Sequence, residues 1–126
     1  MARLSTVNTS PSPDELSDVE YDRRARAVLA AVEAAADRLL QDDVIDIDAS
    51  RTGGLLELAF PNGSKIVINT QPPLQELWLA AGEGGYHFRS LGGRWIDGRD
   101  GREFFEVLST CASAQAGCAL RFESAR

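Results

Sequence analysis

Histidine occurs once and cysteine twice in this chain of 126 residues, too few to assemble the usual four-ligand zinc site. Cys111 and Cys118 do not form a Cys-x-x-Cys pair, and both are read as reduced thiols, because a reducing compartment disfavours a disulfide. No apolar run approaches the roughly 20 residues that span a bilayer. The first fourteen residues lack an apolar signal core and carry only Arg3 as a basic residue, so the expected location is the cytoplasm, away from any membrane. Three enzyme signatures are missing: the Gly-x-x-x-x-Gly-Lys-Ser/Thr phosphate loop, the Gly-x-Ser-x-Gly nucleophile elbow and the His-Glu-x-x-His metal helix. No Cys-His pairing in local sequence supports covalent catalysis. The chain therefore reads as a non-enzyme.

Positive charge is also short. Thirteen basic side chains face nineteen acidic ones, a net charge of -6. From Asp14 to Asp48 there are eleven acidic side chains against four arginines, a local net of -7, so the remainder is close to neutral. Nucleic acid is an unsuitable partner for such a surface, since phosphates require a basic face. Cations or a basic protein suit it better.

What is present fits one domain of about 100 to 110 residues. Residues 1–12, rich in Ser, Thr, Asn and Pro, bury too little apolar surface to order themselves and are expected to form a loose tail ahead of a single domain over 13–126. Ser12-Pro13-Asp14-Glu15 fits a helix start, and Ser17 with Glu20 offers a later one. Tyr21, Ala25, Val28, Val32, Ala35 and Leu39 then recur at helical spacing on one face. After Asp43 the period becomes two. Ile45 and Ile47 alternate with Asp46 and Asp48, Leu56, Leu58 and Phe60 with Glu57 and Ala59, and Ile66 and Ile68 with Lys65, Val67 and Asn69. Asn62-Gly63 predicts a hairpin with a type I′ turn. Leu74–Ala80, Tyr86–Leu91 and Arg94–Ile96 supply further strands between glycine clusters. Asp100-Gly101-Arg102-Glu103 predicts a second capped helix, with Phe104, Leu108 and Cys111 on one face and an end near Gly117. Two helices flanking consecutive strands predict an α+β two-layer sandwich, both helices on one face of an antiparallel sheet of five to six strands.

Two groups of residues carry candidate chemistry. Glu33 and Asp37 are helical neighbours at i,i+4, followed by Asp42, Asp43, Asp46 and Asp48. They form either a solvated acidic face or a site for a hard cation, which would relieve their mutual repulsion. If Leu77 and Leu79 point inward, alternation turns Glu76 and Trp78 to the outer sheet face with Asn69, Gln71 and Lys65. A tryptophan among polar groups is either shielded by neighbouring stems or is an interface anchor. His87 is read as a half-buried, hydrogen-bonding strand residue, and Cys111 as core.

One further pattern orders these observations. Asp46-Ile47-Asp48, Gly53-Gly54, Asn62-Gly63-Ser64-Lys65-Ile66, the string Asn69-Thr70-Gln71-Pro72-Pro73-Leu74-Gln75-Glu76-Leu77-Trp78-Leu79-Ala80 and Gly84-Gly85-Tyr86-His87-Phe88 occur in this order. Over about residues 17 to 122 the chain resembles the bacterial frataxin (CyaY-type) family. The resemblance implies the same α-β-α plan and a role as an iron-binding regulator of iron-sulfur cluster assembly. It implies weak binding of Fe2+ or Fe3+ by Glu33, Asp37, Asp42, Asp43, Asp46 and Asp48, and docking of the acidic face on a cysteine desulfurase. It further implies contact with the iron-sulfur scaffold protein through Asn69, Gln71, Glu76 and Trp78, with iron donation as an alternative description of the role. A monomer that forms iron-dependent oligomers is expected. Ala34, Ala35, Ala36 and Ser50 stand where relatives are often more acidic, so the ridge is diluted and binding weaker. The competing readings are a ferroxidase or iron-storage assembly, and an acidic protein-binding module with no metal role.

Overall fold

The computed structural model describes residues 12–124. Apart from Ser12, the expected tail lies outside the described residues. Helix α1 spans Asp18–Gln41 and α2 Phe104–Ala116; between them run β1 (Asp48–Thr52), β2 (Leu55–Ala59), β3 (Lys65–Gln71), β4 (Glu76–Ala81), β5 (Gly84–Leu91) and β6 (Arg94–Asp97), with a 3-10 turn at Pro72–Leu74. The strands form one antiparallel sheet in chain order. This is the two-layer α+β sandwich expected from the pattern. No helix among the described residues is long and apolar enough to cross a membrane.

Alternation sorts the sheet into two faces. Leu56, Leu58, Ile66, Ile68, Leu77, Leu79 and Phe88 are buried against the helices, where they meet Tyr21, Ala25, Leu29 and Val32 of α1 and Phe104, Leu108 and Cys111 of α2. The predicted α1 stripe holds, with Leu39 half-buried at its end.

Four local expectations are corrected. Helix α1 starts from Ser17, whose side chain accepts from the Glu20 amide at 3.0 Å, and not from Ser12. The Asp14 backbone amide donates to the Ser90 carbonyl, and its carboxylate accepts from the Gly92 and Gly93 amides and the Ser90 hydroxyl at 2.7–3.0 Å. That clamp holds the segment against the β5–β6 hairpin and out of the helix. Helix α2 is capped by Glu103, which accepts from the Glu106 amide, while Asp100 closes a turn on the Arg102 amide. Its end at Gly117, left-handed at φ 75°, is as predicted.

The β2–β3 hairpin is not type I′. The Gly63 amide donates to the Phe60 carbonyl and the Phe60 amide to the Ser64 carbonyl, enclosing the three residues Pro61, Asn62 and Gly63. Gly63 takes φ 90°, whereas Asn62 is not in the positive-φ region. This matches a turn led by proline and closed by a left-handed glycine bulge. Strand β1 begins only at Asp48, because β2 ends at Ala59, its partner; Ile45–Ile47 run alongside outside the ladder, Ile47 buried and Ile45 half-buried. At the β1–β2 turn, a Cβ on Gly54 would come within 2.1 Å of the Thr70 hydroxyl oxygen, so the close approach requires glycine.

Past α2 the chain runs back along that helix. The Leu120 and Phe122 amides donate to the Ser113 and Ser109 hydroxyls at 2.8 Å, and both apolar side chains are buried.

Candidate functional site

The acidic residues gather where α1 passes into β1. The helix ends with the Asp42 amide on the Arg38 carbonyl and the Asp43 amide on the Leu40 carbonyl. Asp43 adopts φ 61°, a left-handed conformation that aspartate tolerates better than most residues. The reversal leaves Asp37, Asp42, Asp43, Asp46 and Asp48 exposed, with Leu40 and Val44 about half exposed among them. Asp48 lies on the outer sheet face, because its neighbours Ala49 and Arg51 pair with the buried Leu58 and Leu56. Glu33 is different. It is half-buried, and its Oε1 accepts from Arg51 Nη1 at 2.8 Å. One of the six predicted ligands is thus already neutralised. Among the described residues no three His, Cys, Asp or Glu side chains stand close enough together to hold a metal ion as a preformed site. Such exposed carboxylates suit hard cations one or two oxygens at a time.

The second group occupies the outer sheet face. Asn69, Trp78 and His87 sit side by side in register across β3, β4 and β5, and Gln71, Glu76 and Arg89 form the adjacent row. Leu77 and Leu79 point inward at 0% and 1% exposure, so Trp78 is turned outward as expected. Its indole stacks on the His87 imidazole, with ring centres 4.2 Å apart and planes 9° off parallel. The indole Nε1 donates to Glu76 Oε1 at 2.7 Å, and Arg89 Nε donates to Glu76 Oε2 at 2.7 Å. Burial pushes the Glu76 carboxyl up, but the two donors more than offset it, leaving the group below the ordinary glutamate range.

The four sequence-predicted residues of this face therefore form one array, which His87 and Arg89 complete. The expectation for His87 was wrong: it is exposed and stacked, not half-buried. Its alternation with buried Phe88 carried that signal. Arg89 needed the β4–β5 register, which a glycine-rich link hides.

The family model for the frataxin-like domain matches residues 14–118. The chain belongs to this family. The iron-sulfur cluster assembly protein CyaY of Variovorax paradoxus is 49% identical to it over 110 residues, 87% of this chain and 100% of the relative. The protein of the same name from Paraburkholderia phymatum is 53% identical over 102 residues, 81% and 93% of the two chains. Among solved structures, the frataxin of Psychromonas ingrahamii superposes with a TM-score of 0.75 at 33% identity, covering 86% of this chain and 100% of that one. A trimeric frataxin of Saccharomyces cerevisiae, complexed with ferrous iron, gives 0.64 at 27% identity, covering 75% and 86%. These bacterial relatives are both named for iron-sulfur cluster assembly.

Proposed function

We propose that this protein is an iron-binding regulator of iron-sulfur cluster assembly, acting in the bacterial cytoplasm and modulating rather than catalysing. The observation that carries the reading is the separation of two unlike surfaces: a ridge of exposed carboxylates at the α1–β1 junction, and a neutralised aromatic array on the open sheet face. The ridge, Asp37, Asp42, Asp43, Asp46 and Asp48 with Glu33 at its margin, takes Fe2+ or Fe3+ weakly and docks on a basic patch of the cysteine desulfurase. The face built on Asn69, Gln71, Glu76 and Trp78 meets the scaffold protein. The relatives named for cluster assembly and the ferrous complex of the yeast homologue support the assignment. Residues 13–126 act as one unit in this reading.

Two experiments test it together. Iron titration followed by sedimentation is expected to show weak binding to a monomer, with larger species only as iron is added. Replacing the five exposed aspartates by asparagine is expected to abolish that binding and weaken the desulfurase complex without unfolding the domain. Desulfurase affinity that is unchanged between low and high salt refutes electrostatic docking. A second reading, an acidic docking module without metal, is favoured by the engagement of Glu33 with Arg51. It predicts salt-sensitive docking with no response to iron.

A further inference from the structure

Glu76 is a buried carboxylate on the open face of the sheet, only 8% exposed. Burying a charge there is unfavourable unless both oxygens are paired, and here they are, by donors from two different residues. Oε1 takes the indole N–H of Trp78 and Oε2 the guanidinium Nε–H of Arg89. Its backbone is held as well, since the Tyr21 hydroxyl of α1 donates to the Glu76 carbonyl at 2.6 Å. With its polar capacity directed within the array, Glu76 offers a partner little surface. Trp78 and His87 offer the stacked rings, and Arg89, with a side chain 53% exposed, offers the rest of its guanidinium.

We infer that Glu76 is a positioning residue, which fixes the Trp78 ring and the Arg89 head in the pose that the scaffold protein meets. The inference rests on the reading of the Trp78 face as a partner surface. An outward-facing indole joined to the sheet only by its Cβ would sample several rotamers, and that freedom would be lost on docking. Tying Nε1 to a carboxylate that is itself immobile moves the loss from binding to folding, which is preorganisation. A carboxylate suits the task better than an amide of the same size. Two acceptor oxygens serve two donors, whereas glutamine turns an N–H2 group towards one of them.

The test uses the full chain and the purified scaffold protein. The chain has two tryptophans, so a nitrogen-15 spectrum shows two indole N–H signals, and Trp78→Phe assigns them. In Glu76→Gln the Trp78 signal is expected to move and to exchange with solvent faster, while that of Trp95 stays. Scaffold affinity is expected to fall about three- to tenfold in both Glu76→Gln and Trp78→Phe, and more than about thirtyfold in Trp78→Ala, the loss typical of an interface anchor. The double variant Glu76→Gln with Trp78→Phe should be no weaker than the single ones, because both break the same link. Additive losses, or parental affinity in Glu76→Gln beside weakened Trp78→Ala, would overturn the positioning role alone. Parental affinity in Trp78→Ala would overturn the partner surface and the positioning role with it. Should Glu76→Gln fail to fold, Trp78→Phe decides: it breaks the same bond from the other side, and parental binding in it refutes the inference.

Discussion

Replacing Tyr21 by phenylalanine removes one oxygen atom from the centre of the structure and is expected to lower the melting temperature by about 6 to 14 °C. Tyr21 is 2% exposed, and its hydroxyl is shared between two strands: it donates to the Glu76 carbonyl at 2.6 Å and accepts from the Gln71 amide at 3.1 Å. Those two residues are register partners at the ends of β3 and β4, where the 3-10 turn joins them. Phenylalanine keeps the ring and its edge-on contact with Trp95, whose centre lies 6.0 Å away, so no cavity larger than the hydroxyl opens. The loss is one of hydrogen bonding. A buried group left unpaired costs about 1 to 3 kcal/mol. The Glu76 carbonyl bears that in full, while Gln71 is half-buried and water reaches part of its deficit. The sum is about 1.5 to 3.5 kcal/mol. For a domain of this size each kcal/mol corresponds to about 4 °C. Calorimetry of the two proteins at one pH measures it directly. A change below about 2 °C would show that neither group depends on the hydroxyl, and that the Tyr21 side chain ties α1 to the sheet by apolar contact alone.

Further outcomes follow from named contacts. Arg51→Gln releases Glu33 from its 2.8 Å ion pair; a pair near the surface is worth up to about 1 kcal/mol, so divalent-cation affinity measured by titration calorimetry should rise by up to about fivefold. Asp14, held down mainly by the Ser90 hydroxyl and the Gly93 and Gly92 amides, Glu20, held down by Arg23 and Arg24, and Glu76 all titrate below their ordinary values of 3.8, 4.5 and 4.5. Their stabilisation is therefore fully present above the ordinary carboxylate range and is lost as pH falls through the folded values. Denaturant midpoints should decline below about pH 5, and less steeply in Asp14→Asn; equal slopes in the two proteins would remove Asp14 from the account. Cys118 is exposed, whereas Cys111 is 1% exposed, with its thiol pushed up by burial. Iodoacetamide should therefore add one group to the native protein and two in denaturant, as read by mass spectrometry.

The order of helices and strands was legible because each apolar period points to a core that the others also need. The stripe from Tyr21 to Leu39 and the alternation through Leu58, Ile66 and Leu77 can be satisfied together in few ways. Boundaries were less legible, for reasons that lie in other parts of the chain. Ser12 and Ser17 are both sound caps by local rules, and the choice fell to contacts between Asp14 and a hairpin nearly eighty residues later. Ile45–Ile47 carry a strand pattern but have no strand partner among the described residues, since β2 stops at Ala59. The candidate residues followed the same division. Trp78 could be placed outward by parity alone, as His87 could have been. The Arg51 neutralisation of Glu33 and the Arg89 clamp on Glu76 are tertiary pairings that no spacing announces.

A sheet whose neighbours are all consecutive in the chain has its first strand at one margin, and in this protein that margin carries the charge. Among the described residues strand β1 has β2 as its one strand neighbour, and the Asp42–Asp48 approach to it is attached largely through the α1 end and the burial of Ile47. Repulsion among those carboxylates therefore acts on the stretch least supported by pairing, and whatever neutralises it tightens that stretch first. A cation or a basic partner would then register as slower amide exchange in β1 and the end of α1 before any change at the far margin, β6. The acidic border is in this sense a hem, drawn in or let out by the charge laid against it.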